Sequence, residues 1–511
     1  MSKVMLRTIP TSVAARVLLC IFLGGVIMFG TVATEGRSGA TTQFVPVVST
    51  ETPGATPFIA NVTITGVPVS TLSSVHFVIT PATGSMTTPV SASYSAAYFV
   101  SHGLENVAAS SITVPVFGLY ASVQDHINTV DITITTTTGS QGLSTTITTT
   151  PWQDATGGLY TTGLNRLVPR NNSVSLGYSY FLIKGVAPGM NPVIMDTDGQ
   201  VRWVGTTSFA NTPSSAMVGN SFFIGSGSSL YREDLSGNVS LIRNYRSSGI
   251  TYIQHHNMDP DPHGLLLEVN TTTDNEATVV EVTTTGRIIT TFDLATIISA
   301  AMKAGHDNPA GFVSPMNDWF HLNSATYWPQ RNEIVVSSRE NFVMGIGYTS
   351  HKIDWILGDP TKAWHRYRSL RAFAFTLAKG SLPPVGQHSI SITPHGQLLL
   401  FDDGDQSSFE YPAGVQRTSS APRQYQLNFR THRASVTWQY NPKPSYWSPI
   451  CGSVYSAGSS YLVDYASAYG GPELVGLGAN NAVAFSYRIQ GDYTYAWNAL
   501  PISLNNLSIS N

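Results

Sequence analysis

Short alternating strands punctuated by 44 Gly and 29 Pro, and hairpins that recur over about 350 residues with no helices between them, predict an all-β chain. The expected architecture is a six-bladed β-propeller preceded by a small N-terminal β-sandwich. Three segments are expected: a signal peptide or N-terminal anchor over 1–33, the sandwich over 42–151, and the propeller over 160–511. At 511 residues the chain is long enough for this arrangement.

The first segment has Lys3, Arg7 and Arg16 ahead of an uncharged run from Val17 to Thr34, the layout of a secretory signal, with small residues at Thr31, Val32 and Ala33 for cleavage. The run is also near the lower length limit for a membrane span, so an uncleaved anchor is the alternative. Either reading puts the protein in the periplasm or outside the cell. From Thr42 to Pro151, Asn61–Gly66, Val75–Thr80, Ser111–Tyr120 and Val130–Thr136 alternate at period two between Gly, Pro and Ser. This module lacks clustered His, Asp or Glu and is expected to pack or dock, and to be the contact of a homodimer.

Beyond Gly163 the hairpins are Pro192–Val204, Leu230–Asn244, Ala277–Phe292 and Tyr425–Tyr440. Each reads as part of a four-stranded blade, and radial closure protects the sheet edges. Helical spacing of Ala, Ile and Met predicts one helix at Leu294–Lys303.

Charged residues make up 11% of the chain, with a net charge of −3, so no positive field favours nucleic acid. Two cysteines, Cys20 and Cys451, exclude a disulfide scaffold or a cysteine zinc cluster. The zinc patterns HxH and HExxH and the phosphate-cradling P-loop are absent, so neither metal nor cofactor is expected.

Chemistry-bearing residues concentrate in Tyr252–Asn270, Asp318–Pro360 and Gly386–Asp405. In each, a histidine precedes a short connection that feeds a strong strand. Equivalent positions in successive blades face one axial funnel, so His256, His321 and His388 converge although about 65 residues separate each from the next.

These segments resemble the arylsulfate sulfotransferases, bacterial enzymes that move a sulfuryl group between phenols without a nucleotide cofactor. The resemblance rests on HHN at 255–257, DWFHLNS at 318–324, SSR at 337–339, WILGDP at 355–360 and GQHSISITPHGQLLLFDDG at 386–404. It implies that His388 is the nucleophile, forming a sulfohistidine in a ping-pong reaction. It also implies that His321, Arg339 and one histidine of the HH pair, His256 rather than His255, serve catalysis, and that Asn323 and His255 bind substrate. A late hydroxyl residue, near Ser453 or Ser456, has no fixed register. Two features depart from the family: Cys451 has no partner for a propeller disulfide, and Asn257 stands where an acid commonly follows the histidine pair.

The chemistry is consistent with these roles. Sulfuryl transfer gathers charge on three oxygens and needs fixed donors with one displaceable nucleophile. A guanidinium offers a planar fork to those oxygens and depresses the pKa of a neighbouring imidazole, which must be neutral to attack. A protonated His321 or His256 can supply the leaving phenolate with its proton. Other histidines (His263, His351, His365, His395, His432) read as structural. Asp402, Asp403 and Asp405 read as a solvated turn, and Asp259 and Asp261 as turn formers around Pro260. Trp319, Trp328, Trp355 and Trp364 read as core, with one or two as walls for a phenol. Two rival readings stay open: a hydrolase with water as acceptor, and a non-catalytic propeller that binds aromatic or sulfated ligands.

Overall fold

Six sheets of four or five strands, antiparallel except where Thr376–Leu377 joins Arg433–Gln439 in parallel, are built from the chain between Leu164 and Ile502, the sixth taking Leu164–Val168 as its outermost strand. The computed structural model describes residues 44–121, 127–186, 192–206 and 214–510. The signal or anchor segment, with Cys20, lies outside the described residues. Among those described, no helix is long and apolar enough to cross a membrane.

The inner strands of blades two to six are Ser215–Val218, Ile250–Asp261, Leu322–Trp328, His388–Ile392 and Ser453–Ala457. Blade one takes its inner strand from the end of the chain: Asn498–Ile502 pairs antiparallel with Tyr180–Lys184, from Lys184↔Asn498 to Tyr180↔Ile502. The chain thus closes its own ring, and consecutive inner strands from blade two round to blade one touch across the axis. The four hairpins read from sequence appear as strand pairs within the first, second, third and fifth blades. The predicted helix is present as Leu294–Ala304, capped by Asp293, whose side chain accepts from the Thr296 N–H.

Second strands such as Leu398–Asp402 are buried along their whole length. Sheets covered on both faces need continuous apolar runs, and LLLF supplies one. The N-terminal strands show the other pattern. Ile127–Thr136 alternates exposed or half-buried with buried residues, as a sheet wet on one face requires. Two N-terminal sheets, one containing Ile59–Thr65 and Ser111–Phe117 and the other Leu72–Ile79 and Ile127–Thr136, share one apolar core. That core continues into Leu182, Trp203 and Phe222 of the first two blades. The chain end returns to these sheets, where Leu507–Ile509 pairs parallel with Val90–Ser95.

Three inner strands are interrupted by bulges at their histidines or beside them. In blade three the register jumps from Ile253↔Val269 to Met258↔Leu267, leaving residues 254–257 opposite Glu268 alone. In blade four it jumps between Leu322 and Ser324, and in blade five between His388 and Ser391. A bulge re-aims side chains that a regular strand would turn into the sheet.

Closure by the last inner strand makes a prediction. Deleting residues 498–511 strips the inner edge from Tyr180–Lys184 and should yield an aggregating chain without a cooperative melt, measured by size exclusion and thermal unfolding. A truncated monomer melting at the full-length temperature would contradict this closure.

Candidate active site

Antiparallel pairing brings the start of each inner strand beside the end of the second strand of its blade, and the charged residues gather at that end. His388 opens the inner strand of blade five and is paired with Phe401. Arg339 directly follows the second strand of blade four, Glu333–Ser338, and Lys184 ends that of blade one. Both Arg339 and His388 are buried.

The bonds of His388 fix its tautomer. Its Nδ1 lies 3.0 Å from the Gly386 carbonyl oxygen and 2.8 Å from Asp403 Oδ2. A carbonyl can only accept, so Nδ1 carries the proton and Nε2 keeps its lone pair. Nε2 makes no hydrogen bond among the described residues. Asp403 is itself held, its Oδ1 accepting from the Gly452 N–H at 3.0 Å. Burial, with the charges of Arg339 and His321, holds the His388 imidazole well below its ordinary pKa.

The backbone around His388 is equally constrained. Gly386 has φ +61°, and a side-chain carbon there would meet the Asp405 carbonyl oxygen at 2.5 Å, so only glycine fits. Ser389 holds φ 52°, a left-handed conformation uncommon outside glycine. Gln387 is fully buried and donates to the Ser338 carbonyl at 2.7 Å, while Asn323 Nδ2 donates to the Gln387 carbonyl at 2.8 Å. Blade four thus clamps the segment that carries His388 and its unspent Nε2.

The other two imidazoles sit close by. The ring centroid of His256 lies 4.7 Å from that of His321 and 5.9 Å from that of His388. His321 Nδ1 is 2.6 Å from Asp318 Oδ2 and 3.2 Å from Glu276 Oε2, and Glu276 Oε2 lies 3.9 Å from His256 Nε2. Burial acts to lower the His321 pKa, but the Asp318 hydrogen bond and the charges of Glu276 and Asp318 outweigh it and leave the imidazole raised. Burial pushes Glu276 up to about 7, so this group of side chains holds a proton near neutrality. His256, Glu276 and His321 also have ligand atoms close enough to hold a metal ion.

Arg339 is tethered along one side. Its Nη1 donates to Glu340 at 2.6 Å and Ser408 at 3.1 Å, and its Nη2 donates to Asp405 at 2.7 Å. Nε–H and the second Nη2–H have no partner among the described residues, which leaves two donors for the oxygens of an anion.

A family model described as arylsulfotransferase (ASST) matches residues 178–483, which spans five of the inner strands and all three histidines. The chain belongs to the arylsulfotransferase family. Among curated relatives, the arylsulfate sulfotransferase AssT of Lelliottia amnigena is 26% identical over 229 residues, covering 36% of this chain and 38% of that protein. AssT of Escherichia coli O6:H1 (strain CFT073) is 26% identical over 236 residues, covering 40% and 39%. The match therefore spans about two fifths of each relative's length. Solved propellers are more distant. The Cps50 (Swd1) β-propeller domain of Myceliophteria thermophila aligns at 11% identity and TM-score 0.35, over 63% of this chain and 87% of that one. The WD40 propeller domain of Doa1 aligns at 11% and 0.31, over 74% and 93%.

Within this arylsulfotransferase fold, His256, His321, His388 and Arg339 converge as the sequence predicts. Asn323 is in the same place but spends an N–H on the backbone before His388. His255 lies in the same strand as His256, and its side chain is outside the described residues. Near the late hydroxyl position, Ser453 is fully buried and bonded to the Ala499 backbone, while the hydroxyl of Tyr455 accepts from Asn498 at 3.0 Å.

Several expectations are overturned. The Asp402 to Asp405 stretch is no solvated turn: Asp402 and Asp403 are fully buried, Asp402 pairs with Arg423 and Arg417, and Asp405 pairs with Arg339. Arginines from three separate stretches of the chain converge on it, a feature its own composition cannot reveal. Asp261 does form the expected turn, accepting from the N–H groups of His263 and Gly264, but Asp259 lies inside a strand. It accepts from Asn257 at 3.1 Å, and Asn257 Oδ1 accepts from buried Lys184 at 2.8 Å, so the neutral residue after the HH pair bridges a lysine and an acid. Trp319, Trp328, Trp355 and Trp364 are all buried, as the core reading expects. Trp497, just before the closing strand, is the indole beside the site, 5.7 Å from His256.

Asp403 is the sharpest test of this geometry. Asp403→Asn would present an amide N–H to Nδ1 and favour the tautomer with its proton on Nε2. The kcat should fall by roughly two to four orders of magnitude, as for other misoriented catalytic imidazoles. Steady-state kinetics beside a thermal melt would check this, and an unchanged kcat in a folded variant would contradict it.

Proposed function

We propose that the protein moves the sulfuryl group of an aryl sulfate ester to a phenolic acceptor by a ping-pong route through sulfo-His388. The observation that carries this reading is a buried, neutral imidazole whose Nε2 lone pair is unspent, beside an arginine with two open N–H donors. Family membership and the names of the curated relatives support the substrate class.

In the first half-reaction His388 Nε2 attacks sulfur, forming an N–S bond as the bond from sulfur to the aryl oxygen breaks. The phenolate leaves with the proton held by His321, and the Asp403 carboxylate offsets the positive charge that develops on the His388 ring. Arg339 binds two sulfuryl oxygens through Nε–H and Nη2–H as charge builds on them. In the second half-reaction the acceptor phenol gives its proton to His321 while its oxygen attacks sulfur. The N–S bond breaks and neutral His388 is restored. Trp497 offers a face for the aryl ring. The charge layout before Thr34 supports a periplasmic or secreted location, and the two N-terminal sheets have no chemical part in this scheme.

An aryl sulfate with a chromogenic leaving group tests the reading. Wild-type protein should release a burst of phenol near one equivalent per chain, then turn over only when a phenolic acceptor is added, with no nucleotide. His388→Ala should lose both burst and turnover. Phenol release indifferent to added acceptor would favour water as acceptor, and binding without any release would favour a non-catalytic propeller.

The pH profile follows from the two imidazoles. His388 must be deprotonated and its pKa is lowered, so the acid limb of kcat/KM should lie well below about 6.5, the ordinary imidazole value. His321 must be protonated and its pKa is raised, so the alkaline limb should lie above that value. His321→Gln should flatten the alkaline limb. An acid limb at or above the ordinary imidazole value would reverse these roles.

A further inference from the structure

The turn Asp261–Gly264 ends the inner strand of blade three, at the far end of the blade from the catalytic side chains. Asp261 Oδ1 accepts from the backbone N–H groups of His263 at 3.0 Å and Gly264 at 2.6 Å. That bonding turns Oδ2 inward, where it is buried and has no hydrogen-bond partner. Opposite it stands Glu281, from the third strand of the same blade, and both acidic side chains are 0% exposed. Tyr348 of blade four donates to Glu281 Oε2 at 2.6 Å, which leaves Oε1 directed at His263 Nδ1, 2.7 Å away. His263 Nδ1 lies 4.0 Å from Asp261 Oδ2, and the His263 ring is 46% exposed, so one side of the cluster is open to solvent.

We propose that Asp261, His263 and Glu281 form a divalent-cation site that pins the Asp261–Gly264 turn to the outer strands of blade three and to blade four. Their three ligand atoms lie within 4.8 Å of one another, close enough for small side-chain adjustments to converge on one ion. Two fully buried carboxylates, one with an oxygen that has no hydrogen-bond partner, face one half-exposed imidazole nitrogen, and buried carboxylates are hydrogen-bonded, paired or bound to metal. One nitrogen and two oxygen donors with open solvent-facing positions suit zinc-class ions over calcium or magnesium, which prefer all-oxygen sets. Tyr348 and the two turn N–H groups supply the outer hydrogen bonds that orient metal ligands.

The test is calorimetric titration of ZnCl2 into the full chain after chelator treatment and dialysis, with thermal melts run alongside. One tight equivalent per chain and a zinc-dependent rise in melting temperature are expected. His263→Ala and Glu281→Gln should each weaken binding by at least about tenfold while melting near the zinc-free wild type. His256→Ala should keep the full equivalent, which separates this cluster from His256, Glu276 and His321. No zinc uptake by wild type would overturn the proposal and leave His263 as a plain ion-pair partner of Glu281. Uptake that survives His263→Ala but vanishes in His256→Ala would overturn it as well.

Discussion

The pair of hydrogen bonds at His388 Nδ1, to Asp403 Oδ2 at 2.8 Å and to the Gly386 carbonyl oxygen at 3.0 Å, determines which nitrogen of His388 remains basic. Without it the ring could turn or take the other tautomer, and the site would hold three imidazoles with no defined nucleophile. Much of the fold around it serves that pair. The Gly386 carbonyl forces the proton onto Nδ1, Gly452 holds Asp403, and the bulge between His388 and Ser391 releases the side chain from the regular alternation of the strand. The left-handed backbone at Ser389 costs roughly 1–3 kcal/mol on its own, a strain tolerated only where surrounding contacts over-determine the conformation.

A second division of labour separates His388 from His321. His388 is buried and His321 half-buried, both within reach of His256, yet their environments drive their pKa values apart. His388 has a hydrogen-bonded acid on one nitrogen and loses its charge to burial and to Arg339. His321 has two carboxylates at its Nδ1, and they keep its proton. Imidazoles whose affinities for a proton are separated in this way can act as base and acid at one pH.

How far the site was legible depends on where each residue's partners lie in the chain. His321 and His388 stand at the start of an inner strand, Arg339 follows a second strand and His256 sits in the bulge midway along its inner strand, and blade symmetry turns these recurrences into proximity. Asp318 had a readable signal too, since it precedes His321 by three residues within the same motif. Glu276 had none: it sits in a loop with left-handed backbone, and its proximity to His321 comes from packing between blades three and four. Asp403 was misread because a run of acids with glycine has the composition of a wet turn, and only tertiary placement shows that the strand before it ends inside the molecule. Trp497 escaped notice for a related reason: it enters the site through a strand that closes the ring from the far end of the chain.

In the proposed reaction, Nε2 of His388 becomes covalently bound to sulfur. Protein mixed with an aryl sulfate and no acceptor, quenched within the burst and digested under conditions that spare N–S bonds, can be mapped by mass spectrometry. One added SO3 is expected on the peptide containing Gly386–Pro394, lost when a phenol is supplied before quenching. A sulfuryl mass on the peptide with His255 and His256, or on His321, or no covalent mass despite rapid turnover, would contradict it.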